Sequence, residues 1–201
     1  MKNTTALSLA CCALMLLTPG RLAAQLPAAL SIEARLGGAF ATGEFGATGE
    51  ALDAGAGYTA SVNGRWELVP GVAAYIGYER TRMACDACKD VAFDDTVVDA
   101  GAGVGAIVTF ALGSTGFAPW VRAGIVRRQL QFTSDGETVA SRPGYGFDLG
   151  AGIAVPVVAS FALTPGIRFL NYPAEFDFEI LPDKSIDVSH FGVDIGLAYQ
   201  F

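Results

Sequence analysis

Four consecutive residues, Cys85-Asp86-Ala87-Cys88, form a CxxC motif that could carry redox chemistry, bind zinc or close a short disulfide. A redox thiol needs a helix N-terminus that favours the thiolate, and a zinc site needs a second pair of ligands. The surrounding sequence shows neither feature. We therefore expect Cys85 and Cys88 to pair with each other as a loop disulfide in an oxidising compartment.

The single histidine, His190, follows Ser189, and such a pair could serve acyl chemistry. Adjacent residues of a strand point to opposite faces, so the two side chains should not share a proton if both lie in a strand. Asp187 has the parity of Ser189, not that of His190. We expect no catalytic residue here.

Four aspartates could bind calcium weakly, but their spacing differs from the EF-hand pattern and favours a solvated acidic loop. They are Asp86, Asp90, Asp94 and Asp95. We expect no metal site and no cofactor.

The last stretch, His190 to Phe201, alternates strictly between large apolar residues and small or polar ones. This period of two predicts one strand with an apolar face and a small or polar face. The apolar set is Phe191, Val193, Ile195, Leu197, Tyr199 and Phe201.

Seven further segments show the same strand pattern, which predicts eight strands in all. They are Ser31–Phe40, Tyr58–Leu68, Val72–Arg82, Thr96–Phe110, Trp120–Phe132, Tyr145–Val155 and Phe161–Tyr172. Three of their connectors are short and four are long, in alternation, which is typical of a membrane barrel with short turns at one end. The long ones are Ala41–Gly57, Met83–Asp95, Thr133–Gly144 and Pro173–Asp187.

Alternation alone does not say which face lies inside, because a soluble lipocalin-like barrel alternates with its apolar face inward. Three features favour a membrane barrel. None of the three lysines (Lys2, Lys89 and Lys184) falls in a predicted strand, and glycines crowd the polar face, where they would make room for arginines inside a narrow barrel. Aromatic residues sit near the strand ends and predict two interfacial girdles. The turn-side set is Trp66, Phe110, Phe161, Tyr199 and Phe201, and the loop-side set is Phe40, Tyr58, Tyr78, Tyr145 and Phe191.

The segment from Met1 to Ala24 has the layout of a secretory signal peptide, with Lys2 ahead of an apolar run and a small-residue cleavage site. Its removal would change the formal charge from −7 to −9, because Lys2 and Arg21 leave with no acid. Residues 25–201 then form one acidic barrel domain. The full chain is 52% hydrophobic, and beyond the signal segment its apolar residues are spread over short strands. Such a chain is a poor candidate for nucleic-acid binding.

The predicted fold is all-β, an eight-stranded antiparallel up-and-down transmembrane β-barrel. Its small or polar face carries nearly balanced acids and bases, which we expect to pair because an unpaired buried charge is costly. An ion path is the alternative to a structural plug of ion pairs, and the small size of an eight-stranded barrel favours the plug. The predicted lumen residues are Glu33, Arg35, Arg65, Glu67, Glu79, Asp99, Arg122, Arg128, Asp148, Arg168 and Asp194.

In strand number, face polarity, girdles and terminal Phe201, the chain resembles the small bacterial outer-membrane barrels of the OmpA/OmpX-like group. The resemblance implies insertion by the barrel-assembly machinery, with Tyr199 and Phe201 in the recognised strand. It also implies an outer-membrane monomer in contact with lipopolysaccharide, with periplasmic termini and extracellular long loops. Of the possible functions, a structural or surface-interaction role is favoured. A lipid A deacylase or acyltransferase is the alternative, and a small-solute channel is the third possibility.

Acidic and apolar residues alternate without a break in the last long loop, from Glu175 to Ile180. This pattern predicts a protruding hairpin with its turn at Leu181-Pro182-Asp183-Lys184. The apolar stripe of Phe176, Phe178 and Ile180 either folds over the barrel mouth and packs on Tyr172 or other loops, or serves as a contact site for a surface partner or lipid.

Overall fold

The computed structural model describes residues 30–42, 54–85, 96–112, 116–134, 137–178 and 181–201. Among these residues, no helix is long and apolar enough to cross a membrane. The predicted signal peptide and Cys88 lie outside the described residues, and so does the side chain of Cys85.

Ten β-strands make up the structure. They are β1 (Leu30–Ala41), β2 (Ala54–Val69), β3 (Val72–Cys85), β4 (Thr96–Thr109), β5 (Ala118–Ser134), β6 (Glu137–Ala140), β7 (Gly144–Val158), β8 (Phe161–Leu163), β9 (Gly166–Phe178) and β10 (Leu181–Gln200). Strands β8 and β9 lie in line and together form one strand of the barrel. This strand is interrupted near Pro165, which lacks the N–H that a continuous ladder would use. Among the described residues, strand β6 pairs only with β5 and lies outside the closed barrel. With β8 and β9 counted as one, the barrel therefore has eight strands.

The sheet closes on itself as an antiparallel up-and-down barrel. Strand β1 pairs with β2 on one side and with β10 on the other, where Ser31 lies opposite Gln200 and Ala41 opposite His190. Strand β10 continues to β8 and β9, and β7 returns to β5. The predicted fold class is confirmed, since among the described residues each of the eight strands of the closed barrel has two neighbours.

Several strands run past their predicted ends at the long-loop side. The segment Pro173–Asp187 is largely strand, because β9 and β10 pair from Asp194↔Gly166 up to Leu181↔Phe178. The protruding hairpin is therefore present, but Leu181–Lys184, predicted as its turn, lies within β10. Lys184 is accordingly in a strand, contrary to the expectation that no strand contains lysine.

Large apolar side chains point outward over the lower part of the barrel. Leu36 and Ile125 are 65% and 64% exposed, and similar exposed residues lie on every strand of the barrel. Nine of the ten predicted girdle aromatics are exposed on this surface, and Phe191 is half-exposed. An uninterrupted apolar band of this kind is the lipid-facing surface of a transmembrane barrel.

The two faces exchange character toward the long-loop end. On β5, Arg122 and Arg128 point inward below Leu130, while Ile125 points outward below Arg127. On β9, Leu170, Tyr172 and Ala174 point inward, whereas Asn171, Pro173 and Glu175 point outward. We call this upper part, with polar residues outside and apolar residues inside, the outer collar.

Candidate functional site in the barrel interior

A first ion-pair cluster fills the lower lumen around Arg35 of β1. Its Nη1 donates to Glu33 Oε1 at 2.8 Å and its Nε donates to Asp194 Oδ1 at 3.1 Å. Thr164 Oγ1 donates to the same Glu33 oxygen at 2.5 Å, and Arg65 pairs with the other Glu33 oxygen. Both acids and Arg35 are almost completely buried, and the ion pairs between them compensate their charges locally.

A second cluster lies above the first and is centred on Arg128 and Arg168. Arg128 donates from Nη1 to Glu79 Oε1 and from Nε to Asp99 Oδ1, each at 2.9 Å. Arg168 pairs with Glu79, lies 3.6 Å from Asp148 and lies 3.9 Å from Asp194 of the lower cluster. The two clusters therefore form one chain of alternating charge.

Inward-facing glycines give these long side chains their room. A methyl carbon built at Gly150 would lie 2.9 Å from Arg122 Cγ and 3.2 Å from Arg168 Cγ. One at Gly101 would lie 2.2 Å from the Arg127 backbone carbonyl oxygen and 2.8 Å from Arg128 Cγ. At Gly124 the obstruction would be the Tyr75 hydroxyl, at 2.0 Å. The lumen is thus filled by arginine and tyrosine side chains at the positions where the wall has no side chain.

The interior of the outer collar is an apolar core. Phe132 and Phe176 lie in this core with ring centroids 5.6 Å apart. Its buried members are Met83, Val97, Val126, Leu130, Phe132, Leu170, Tyr172, Ala174, Phe176, Ile186 and Val188. This core closes the outer end of the barrel above the ion pairs.

Two interior cavities lie among the charged residues. Each has a volume of about 10 Å³, and Glu79 and Arg168 line both. A cavity of this size holds about one water molecule. A wider vestibule of about 300 Å³, lined by Arg65 and Glu67 among others, opens at the short-turn end and leads to the first cluster. The described lumen is therefore a packed interior.

The histidine and the serine that were considered for acyl chemistry have other surroundings than a catalytic site would need. His190 faces the lumen with Nδ1 3.8 Å from Asp99 Oδ2. Ser189 lies on the opposite face and its Oγ donates to the Thr42 backbone carbonyl at 2.5 Å, so the two do not form a dyad. Glu67, which we expected among the lumen ion pairs, accepts a hydrogen bond from the Gly71 backbone N–H at 3.1 Å and stabilises the turn between β2 and β3.

Phe176 points into the outer collar and is only 2% exposed. Phe176 is therefore not accessible to a surface partner. Its position agrees with the other alternative, in which the stripe packs over the barrel mouth. Ile180 and the side chain of Phe178 lie outside the described residues.

Two groups that sequence reasoning did not place in the lumen complete it. Tyr172 donates its hydroxyl hydrogen to Asp99 Oδ1 at 2.8 Å, and Trp120 lies under Arg35, with the guanidinium carbon 5.0 Å from the ring centroid. Parity carried the signal for Trp120, because it is two residues from Arg122 and must share its face.

No protein-family model and no curated protein matches the sequence. Several solved structures share its fold. Neisserial surface protein A aligns with a TM-score of 0.65 at 16% identity, over 86% of this chain and 97% of that one. Outer membrane protein OprG from Pseudomonas aeruginosa aligns with 0.54 at 9% identity, over 87% and 97%. Ail, the attachment invasion locus protein of Yersinia pestis, aligns with 0.50 at 15% identity, over 87% and 100%. The chain thus has the fold of the small eight-stranded outer-membrane β-barrels.

Proposed function

We propose that this protein is an integral outer-membrane barrel with a closed lumen, and that its role is structural or exerted at its outer surface. The observation that carries this proposal is the band of exposed apolar side chains around a charged interior. Such a surface is stable next to lipid acyl chains and unstable in water.

The orientation follows from the two ends of the barrel. The short turns and both ends of the described chain lie at one end, which we assign to the periplasm, and the outer collar lies at the other, which we assign to the cell exterior. Arg80, Arg127, Asn171 and Glu175 point outward on the outer collar or at its lower edge, and their polarity suits the aqueous side of the outer leaflet. Because closure pairs both edges of the eight barrel strands, the barrel itself needs no second copy and we assign it as a monomer.

Ion conduction is the function that the packing argues against most directly. Reconstituted in planar bilayers, the protein should give no discrete conductance steps, because the charged lumen is packed and the apolar core of the outer collar caps it. The double variant Leu130→Gly with Phe132→Gly removes two side chains of this core. Its conductance, compared with that of the unaltered protein, tests whether the core contributes to closure. Regular steps from the unaltered protein would contradict a closed lumen.

Insertion should depend on the end of β10, where Tyr199 and Phe201 lie on the outer face with ring centroids 4.9 Å apart. The Phe201 backbone N–H also donates to Leu30 O at 3.0 Å and helps to close the barrel. Deleting Phe201 should lower the amount of heat-modifiable protein in outer membranes, while Phe201→Tyr should not. Equal amounts from the deletion and the unaltered chain would exclude this residue from the assembly signal.

A further inference from the structure

Three arginines point outward near the level of the loop-side aromatic girdle: Arg80 and Arg82 on β3, and Arg127 on β5. In the strand register, Arg82 lies opposite the girdle residue Tyr58, and Arg127 lies opposite the girdle residue Tyr145. These cations therefore sit where an apolar membrane surface gives way to polar head groups.

Between them runs a groove whose floor is formed by small residues of β4. Ala100 lies opposite Arg80, and Ala102 lies opposite both Tyr78 and Arg127. The depression on this face has a volume of about 290 Å³, and Gln129 lines it as well. Since adjacent strands are about 4.8 Å apart, the backbones of β3 and β5 flank the floor about 10 Å apart. Arg127 lines the depression from the β5 side, and Arg80 points outward from β3 beside Ala100.

The charge of this groove is unusual for the molecule. The chain carries a formal charge of −7, and each lumen arginine described above contacts a carboxylate. Within the described residues, Arg80 and Arg127 form no ion pair. Two exposed acids of the outer collar, Glu175 and Asp187, lie on β9 and β10, away from the groove. Among the described residues, the groove therefore presents positive charge without a paired carboxylate.

We propose that this groove binds a phosphate group of the glycolipid that anchors lipopolysaccharide in the outer leaflet. The guanidinium fork matches phosphate oxygens in a bidentate manner, and Gln129 adds an amide donor at the same edge. Directly below, Tyr78 and Ile76 are exposed on the apolar band, where acyl chains attached to the same head group would lie. A lipid satisfies both surfaces at once. The inference rests on the proposed outer-membrane location, since the outer leaflet supplies the ligand.

Native mass spectrometry of the detergent-solubilised barrel with added lipid A tests the assignment. The unaltered protein should retain bis-phosphorylated lipid A and retain the dephosphorylated form much less. Arg80→Gln with Arg127→Gln should weaken retention by at least about tenfold, the usual effect of losing a charge-assisted hydrogen bond. The matched control is Arg142→Gln, which removes an exposed arginine that does not line the groove and should retain lipid normally.

Equal retention by the double variant, an equal loss in the Arg142 control or equal retention of dephosphorylated lipid A would each overturn the assignment. Should the double variant fail to fold, Ala100→Glu, which places a carboxylate on the groove floor, should produce the same loss, and unchanged retention would overturn the proposal. Failure of the proposed function would register separately, as a barrel that does not insert into liposomes or show heat modifiability.

Discussion

Replacing Arg128 with Met should lower the free energy of unfolding by about 3–5 kcal/mol, the range measured when one partner of a buried ion pair is removed. Arg128 is 2% exposed and holds both Glu79 and Asp99 at 2.9 Å. Without it, Asp99 keeps the hydrogen bond from Tyr172 but loses its guanidinium partner. The measurement is equilibrium unfolding by guanidinium in phosphatidylcholine bilayers.

The neighbouring arginine provides a matched control. Arg127 precedes Arg128 on the same strand but points outward and is exposed, so Arg127→Met should change stability by less than about 1 kcal/mol. Combining Arg128→Met with Asp99→Leu should recover part of the loss, because the carboxylate stranded by the first change is then absent. Equal effects of Arg127→Met and Arg128→Met would contradict an ion-paired lumen.

Leu130→Ala should cost about 2–5 kcal/mol, as expected for a large-to-small change in a packed interior. Leu130 is fully buried within the apolar core of the outer collar. The adjacent Gln131 lies on the outer face, and Gln131→Ala should stay within about 0.5 kcal/mol. Urea-induced unfolding of both variants in the same lipid checks this pair, and a small loss for Leu130→Ala would mean that the outer collar is filled with water.

Sequence periodicity was sufficient to predict which residues line the lumen over most of the barrel. A period of two fixes parity, so once Arg35 and Asp194 are placed inside, their strand neighbours follow. The pairing itself was not predictable. Arg168 meets Glu79, 89 positions away along the chain, because barrel shear decides which residues of different strands share a level.

The reversal of polarity in the outer collar escaped sequence reasoning for a related reason. Val126, Leu130 and Phe132 have the same parity as Arg122 and Arg128, so one polarity rule cannot describe a single face of β5 over its whole length. Alternation has the same form whether its apolar face meets lipid or a core. The difference is set by whether the residue lies within or above the lipid layer.

Phe176 illustrates the same ambiguity. The alternation of acids and phenylalanines after Pro173 is compatible with an exposed stripe and with a buried one. Its ring packs on Phe132, a contact between β9 and β5 across the outer collar that no local pattern reveals. That the hairpin continues past Pro173 was predictable because alternation continues without a break, whereas its turn and its interior partner were not.

The central claim, a lipid-embedded band that ends below a water-exposed outer collar, can be tested by spin labels placed along the outer face of β9. Single cysteines at Ile167, Phe169, Asn171 and Glu175, in a Cys85→Ser, Cys88→Ser background, would carry the nitroxide in liposomes. Relaxation by oxygen should dominate at Ile167 and Phe169, and relaxation by a water-soluble nickel complex should dominate at Asn171 and Glu175. Nickel accessibility at all four positions would contradict the membrane-spanning assignment, and oxygen accessibility at all four would contradict the outer collar.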